Sequence, residues 1–137
     1  MIFIDTSAWI AIEDKKDINH LKALQFKKQL LDSQKRLITT NYILDETYTL
    51  MLLDLEYTRT INFKQKLDDL IDSNLVIVVY VTSDVEKESW EAFERFNKDK
   101  TWSFTDCTSK VIMNMFNILE AFTFDRHFEQ MNFIRKP

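Results

Sequence analysis

The run Leu75-Val76-Ile77-Val78-Val79-Tyr80-Val81 limits the possible folds of this chain more than any other segment. It is apolar throughout and rich in β-branched side chains, which favour a pleated strand. It does not alternate apolar with polar residues, so the strand is expected to be covered on both faces, as in a parallel sheet. Met1-Ile2-Phe3-Ile4 and Leu119-Glu120-Ala121-Phe122-Thr123-Phe124 read as further strands. The stretches between them carry helical periodicity. The spacing predicts strand 1–5, helix 7–14, helix 17–34, short strand 37–40, helix 41–54 and helix 57–73. It then predicts strand 75–81, helix 83–97, helix 104–117, strand 119–124, a turn or short helix 125–130 and strand 132–135. Strands alternating with helices imply an α/β sandwich on a mostly parallel sheet. In helix 83–97, Trp90, Phe93 and Phe96 fall at helical spacing and are expected to form a core face.

A chain of 137 residues with 45% apolar content fits one domain, 1–137, with a sizeable core. No uncharged apolar run approaches the roughly 18 residues of a membrane span. The N-terminus lacks the basic region and cleavage site of a secretory signal, and Cys107 is the only cysteine. These features lead us to expect a cytoplasmic protein without disulfides or a zinc cluster. Glycine is absent, which excludes every glycine-rich phosphate cradle. The left-handed turns that glycine would supply are expected at Asn74, Asn97, Asn117 and Asn132. The only proline is Pro137, so no helix is broken internally. A net charge of −4 argues against gripping nucleic acid by charge alone. It is compatible with an acidic pocket neutralised by metal.

The chemistry-bearing residues are carboxylates at element boundaries. Asp5 ends the first apolar run and is followed by Thr6-Ser7, a turn into a helix. It therefore stands at the C-terminal edge of a strand, where open α/β sheets place their ligands. Asp125 occupies the same kind of position after 119–124, with Arg126 and His127 beside it as weaker candidates for substrate contact. Asp106 lies three residues after Ser103, at a helix start. Each of these three also has a purely structural reading: Asp5 and Asp125 as helix caps, and Ser103 with Asp106 as a capping box. Glu46 has Tyr42, Ile43, Thr49, Leu50 and Leu53 around it at helical spacing, a mostly apolar face. A carboxylate there is costly unless paired or bound to metal, or unless it reaches past its neighbours to solvent. Asp45 lies roughly 100° round the helix on a more polar face, so Glu46 is the better ligand candidate. Cys107 has no obvious base and reads as a packed thiol, and His20 as a surface residue. Carboxylate oxygens are the ligands preferred by Mg²⁺ and Mn²⁺.

Four segments together resemble the PIN-domain family of metal-dependent ribonucleases, and the VapC-like toxins in particular. They are Phe3-Ile4-Asp5-Thr6-Ser7-Ala8-Trp9, Thr39-Thr40-Asn41-Tyr42-Ile43-Leu44-Asp45-Glu46, Trp102-Ser103-Phe104-Thr105-Asp106-Cys107-Thr108 and Phe122-Thr123-Phe124-Asp125-Arg126-His127-Phe128. Their order and spacing span essentially the whole chain. The resemblance implies a PIN-like three-layer sandwich and an acidic quartet that falls here on Asp5, Glu46, Asp106 and Asp125. It implies that the quartet holds Mg²⁺ or Mn²⁺ for hydrolysis of RNA phosphodiesters, with Ser7 and Thr105 at the hydroxyl positions lining the site. It also implies a small antitoxin protein as partner and a homodimer. The excess of apolar residues on helices 41–54 and 57–73, including Tyr48, Met51, Leu52, Leu55 and Phe63, fits such pairing. One departure from the family pattern is Asn132, where glycine is common; asparagine takes the same turn. Two other readings remain: a non-catalytic PIN-fold binding module, or a metal-dependent phosphatase-type hydrolase. The latter lacks the second aspartate after strand one, since Ser7 stands there.

Overall fold

The structure, a computed structural model, describes residues 1–137. Five strands form one sheet in the order β3-β2-β1-β4-β5, and every pairing is parallel. They are β1 (Ile2–Ile4), β2 (Leu37–Thr40), β3 (Val76–Val79), β4 (Glu120–Phe122) and β5 (Ile134–Lys136). Seven helices flank the sheet: α1 (Thr6–Glu13), α2 (His20–Asp32), α3 (Asn41–Leu55), α4 (Tyr57–Asp72), α5 (Ser83–Phe96), α6 (Phe104–Met115) and α7 (His127–Gln130). This is the α/β sandwich on a parallel sheet that the alternation of strands and helices predicts, and the PIN-like architecture that the resemblance implies.

β1 lies at the centre. Phe3 is in register with Ile38 of β2 on one side and Ala121 of β4 on the other. Ile2, Phe3 and Ile4 are wholly buried. The chain leaves β1 toward β2 and β3 on one flank and reaches β4 and β5 on the other. The strand order therefore reverses at β1, and a crevice opens beyond its C-terminal end.

Several expectations change. The run 75–81 makes an edge strand: Val76–Val79 pairs only with β2, Val76 is fully buried, and Ile77, Val78 and Val79 are partly buried against the core. Continuous apolar character reports a strand in a parallel sheet but not its rank within it. Trp90 is 56% exposed, because α5 turns Val85 and Ser89 inward and leaves Phe93 and Phe96 half-buried. α2 starts at His20, not at 17, because the Asp17 carboxylate accepts the Asn19 N–H and holds a turn first. Among the expected apolar excess, Met51, Leu55 and Phe63 belong to the core, and the exposed apolar residues nearby are Leu52, Leu53 and Tyr57.

Asn74, Asn117 and Asn132 do take positive φ. Asn97 does not; its φ is −83°. Its side chain instead clamps the following loop, accepting the Trp102 N–H at 2.8 Å and donating to the Trp102 carbonyl at 2.9 Å. Gln34 and Glu56 fill the remaining left-handed positions, at φ 52° and 77°. No helix is long and apolar enough to cross a membrane.

Candidate active site

Asp5 is the residue after β1, and its backbone N–H donates to the Phe122 carbonyl, so β4 fixes its position. Its side chain is the N-cap of α1. Three donors converge on Oδ2: the Ser7 N–H at 3.2 Å, the Ser7 hydroxyl at 2.7 Å and the Thr123 hydroxyl at 2.9 Å. None of these three donors engages Oδ1. The capping and functional readings are compatible: Oδ2 caps α1, and the residue lines the cleft. Burial pushes the Asp5 carboxyl pKa up, against the pull of the Ser7 and Thr123 hydrogen bonds.

Asp106 repeats the pattern. Oδ2 accepts the Ser103 N–H at 2.9 Å while the Ser103 hydroxyl accepts the Asp106 N–H at 3.0 Å, a complete capping box at the start of α6. Oδ1 is uncommitted. Burial raises the pKa of this carboxyl; the Ser103 hydrogen bond opposes that, and the charges of Asp125 and Asp5 add to it.

Glu46 also has one oxygen tied. The Thr6 hydroxyl donates to its Oε2 at 2.6 Å. Its surroundings differ from the apolar face that helical spacing predicts: Thr49, Leu50 and Leu53 are exposed, and α3 buries Ile43, Leu44, Thr47, Met51 and Leu55 instead. Thr6, more than desolvation, sets where Glu46 points. Asp45 is exposed and lines a separate surface concavity with Asn41, Tyr48 and Tyr80.

Asp125 follows β4. Its N–H donates to Thr123 Oγ1 at 3.0 Å, and its Oδ1 accepts the His127 N–H at 2.9 Å. The His127 ring lies between two acids, with Nδ1 3.0 Å from Asp106 Oδ2 and 3.4 Å from Asp125 Oδ2.

All four carboxylates and His127 line one open cleft of about 450 Å³, together with Ser7. Arg126 and Thr105 are not among its lining residues. Arg126 is exposed at the start of α7, and the Thr105 carbonyl accepts from the Thr108 and Ser109 hydroxyls inside α6. The cleft also takes Thr6, Asp17, Asn19, Thr101 and Ser103, which sequence reasoning did not place there. Only Ser103 had a local signal, its capping-box spacing. Cys107 is buried beside the site with its thiol pKa pushed up to about 11 by burial, so it is not a thiolate nucleophile at neutral pH.

The donor set suits a hard divalent cation. It is rich in carboxylate oxygens, and Asp5, Glu46 and Asp106 each hold one oxygen by protein hydrogen bonds and leave the other free. Such anchoring fixes ligand direction before an ion arrives.

The chain matches the PIN domain family over residues 2–134. It is 32% identical over 135 residues to the 23S rRNA-specific endonuclease VapC20 of Mycobacterium tuberculosis, covering 98% of this chain and 96% of that one. It is 28% identical over 126 residues to a VapC ribonuclease of Archaeoglobus fulgidus, covering 91% of this chain and 77% of that protein. The crystal structure of M. tuberculosis VapC20, described as a Sarcin-Ricin loop cleaving toxin, superposes with a TM-score of 0.82 at 31% identity, over 98% of this chain and 97% of that one. A parallel sheet that reverses at β1, four acids gathered beyond its C-terminal edge and a match running nearly end to end agree, and the chain belongs to the PIN domain family.

Proposed function

We propose that this chain is a Mg²⁺- or Mn²⁺-dependent endoribonuclease and the toxin of a toxin–antitoxin pair. The observation that carries the reading is the convergence of Asp5, Glu46, Asp106 and Asp125, from four distant segments, on one cleft. The similarity to two VapC ribonucleases supports RNA as the substrate. Bound at the quartet, a divalent cation supplies Lewis acidity, acidifying water and offsetting charge on the phosphodiester. The carboxylates act as ligands and water-orienting groups, not as nucleophiles. Ser7 and Thr123 hold Asp5, Ser103 holds Asp106 and Thr6 holds Glu46, so the free oxygens keep fixed positions while RNA binds. Attack in line with the 3′-oxygen as leaving group gives a 5′-phosphate product. We further propose that the chain forms a homodimer in the cytoplasm and binds a small antitoxin.

Purified protein with single-stranded or loop RNA tests this. Cleavage should require Mg²⁺ or Mn²⁺ and stop in EDTA. Asp5→Asn and Asp106→Asn should lower the rate by roughly a hundredfold or more, the effect of several kcal/mol of lost charge stabilisation, while the fold survives. RNA cleavage that persists in EDTA would sink the proposal.

A further inference from the structure

We propose that His127 is a direct ligand of the catalytic cation, giving this site one nitrogen donor and a preference for Mn²⁺ over Mg²⁺. The inference rests on the metal-dependent reading above. It adds a donor outside the acidic quartet and a consequence for which ion is held.

The geometry carries it. Asp106, Asp125 and His127 each offer one ligand atom, all within 4.8 Å of one another. Two ligands at right angles on one ion, with bonds of ~2.1 Å, stand ~3.0 Å apart. His127 Nδ1 is hydrogen-bonded to Asp106 Oδ2 at 3.0 Å, the oxygen that also caps α6, and lies 3.4 Å from Asp125 Oδ2. An ion held between these atoms would take the place of the proton shared with Asp106, and both separations are those of neighbouring corners of such a shell. The placement is built into the backbone. Thr123 Oγ1 accepts the Asp125 N–H, Asp125 Oδ1 accepts the His127 N–H, and the next residue, Phe128, is wholly buried against Phe3. His127 thus enters α7 with its ring nitrogen turned toward the two acids.

The chemistry follows from the donor. Mg²⁺ prefers oxygen ligands and sheds water reluctantly. Imidazole nitrogen favours first-row transition ions, so replacing an oxygen or a water by Nδ1 raises affinity for Mn²⁺ relative to Mg²⁺.

Pulsed EPR of the full chain loaded with Mn²⁺ reads the bond without any turnover. Wild-type protein should show ¹⁴N modulation from a coordinated imidazole. Histidine labelled with ¹⁵N should change it, and His127→Gln should abolish it. His20, the only other histidine, lies elsewhere with its Nδ1 2.7 Å from the Ala11 carbonyl, so His20→Gln should leave the signal intact. In titrations, His127→Gln should weaken Mn²⁺ about tenfold or more and Mg²⁺ much less. Bound Mn²⁺ without ¹⁴N modulation in wild type would overturn the proposal, as would equal loss of both ions in a folded His127→Gln protein. The wild-type spectrum decides the matter even where the variant fails to fold. A clear nitrogen signal from a protein that cuts no RNA would leave this inference standing and remove the ribonuclease reading instead.

Discussion

Asp5 and Asp106 share a property with a measurable consequence: burial raises the pKa of both carboxyls above the ordinary carboxylate value. Unfolded, each titrates near pH 4. Folded, each keeps its proton to higher pH, so between those two values the native chain binds more protons than the unfolded one. Stability contributed by these groups is therefore greatest at low pH and falls as pH rises through that window. In EDTA, Asp106→Asn should melt higher than wild type, with the gap widening from about pH 4 toward neutrality. Millimolar Mn²⁺ should reverse the order, because it binds the deprotonated wild-type site and stabilises it by mass action. A gap that stays constant with pH would show that Asp106 is not a destabilising charge. A second expectation separates neighbours on α3: Glu46→Gln should abolish cleavage, Asp45→Asn should retain most of it, and Thr6→Val should act like a mild Glu46 defect by freeing Oε2. Asp5, Asp106 and Asp125 stand at strand ends and helix starts, which are local patterns a sequence displays. Glu46 lies inside α3 and was singled out from an apolar face that the helix does not bury, so its place in the cleft was not legible from periodicity. Thr6 and Thr123 were not legible either. Hydroxyl residues are common in turns, and the value of these two arises from Glu46 and Asp5, which lie 40 and 118 positions away.

Elements show a different balance. The strands and helices were readable from apolar runs and periodicity, but the edge position of β3 and the exposure of Trp90 depend on which neighbours arrive from elsewhere in the chain. The absence of glycine was equally plain, yet its structural cost lay partly at unexpected sites. Between α3 and α4, Glu56 adopts φ 77° with ψ 163°, a region essentially reserved for glycine. Its side chain makes no capping hydrogen bond. Relief of roughly 1–3 kcal/mol of strain should outweigh the entropy cost of glycine, which is about 1 kcal/mol. Glu56→Gly is thus expected to raise the melting temperature by a few degrees, ~3–5 °C for about 1 kcal/mol net. Glu56→Ala keeps the Cβ and should give no gain. Equal melting of the two variants would mean that the α3–α4 junction is not strained by its side chain.

The proposed homodimer draws on the same two helices. Exposed large apolar side chains are ordinary when scattered. On α3 and the start of α4 they are concentrated: Leu52 is 52% exposed, Leu53 75% and Tyr57 70%. A cluster of this kind marks a contact surface when it is contiguous. Light scattering at tens of micromolar should give twice the 16.5 kDa chain mass. Leu53→Glu or Tyr57→Glu should shift that mass toward one chain with the far-ultraviolet circular dichroism unchanged. The core positions on α3 behave differently. Met51 and Leu55 are buried, so Met51→Glu or Leu55→Glu places an unpaired charge in the core and should unfold the protein before any question of pairing arises. A wild-type mass of one chain would remove the dimer. A dimer unmoved by Leu53→Glu and Tyr57→Glu would place its interface on another face of the molecule.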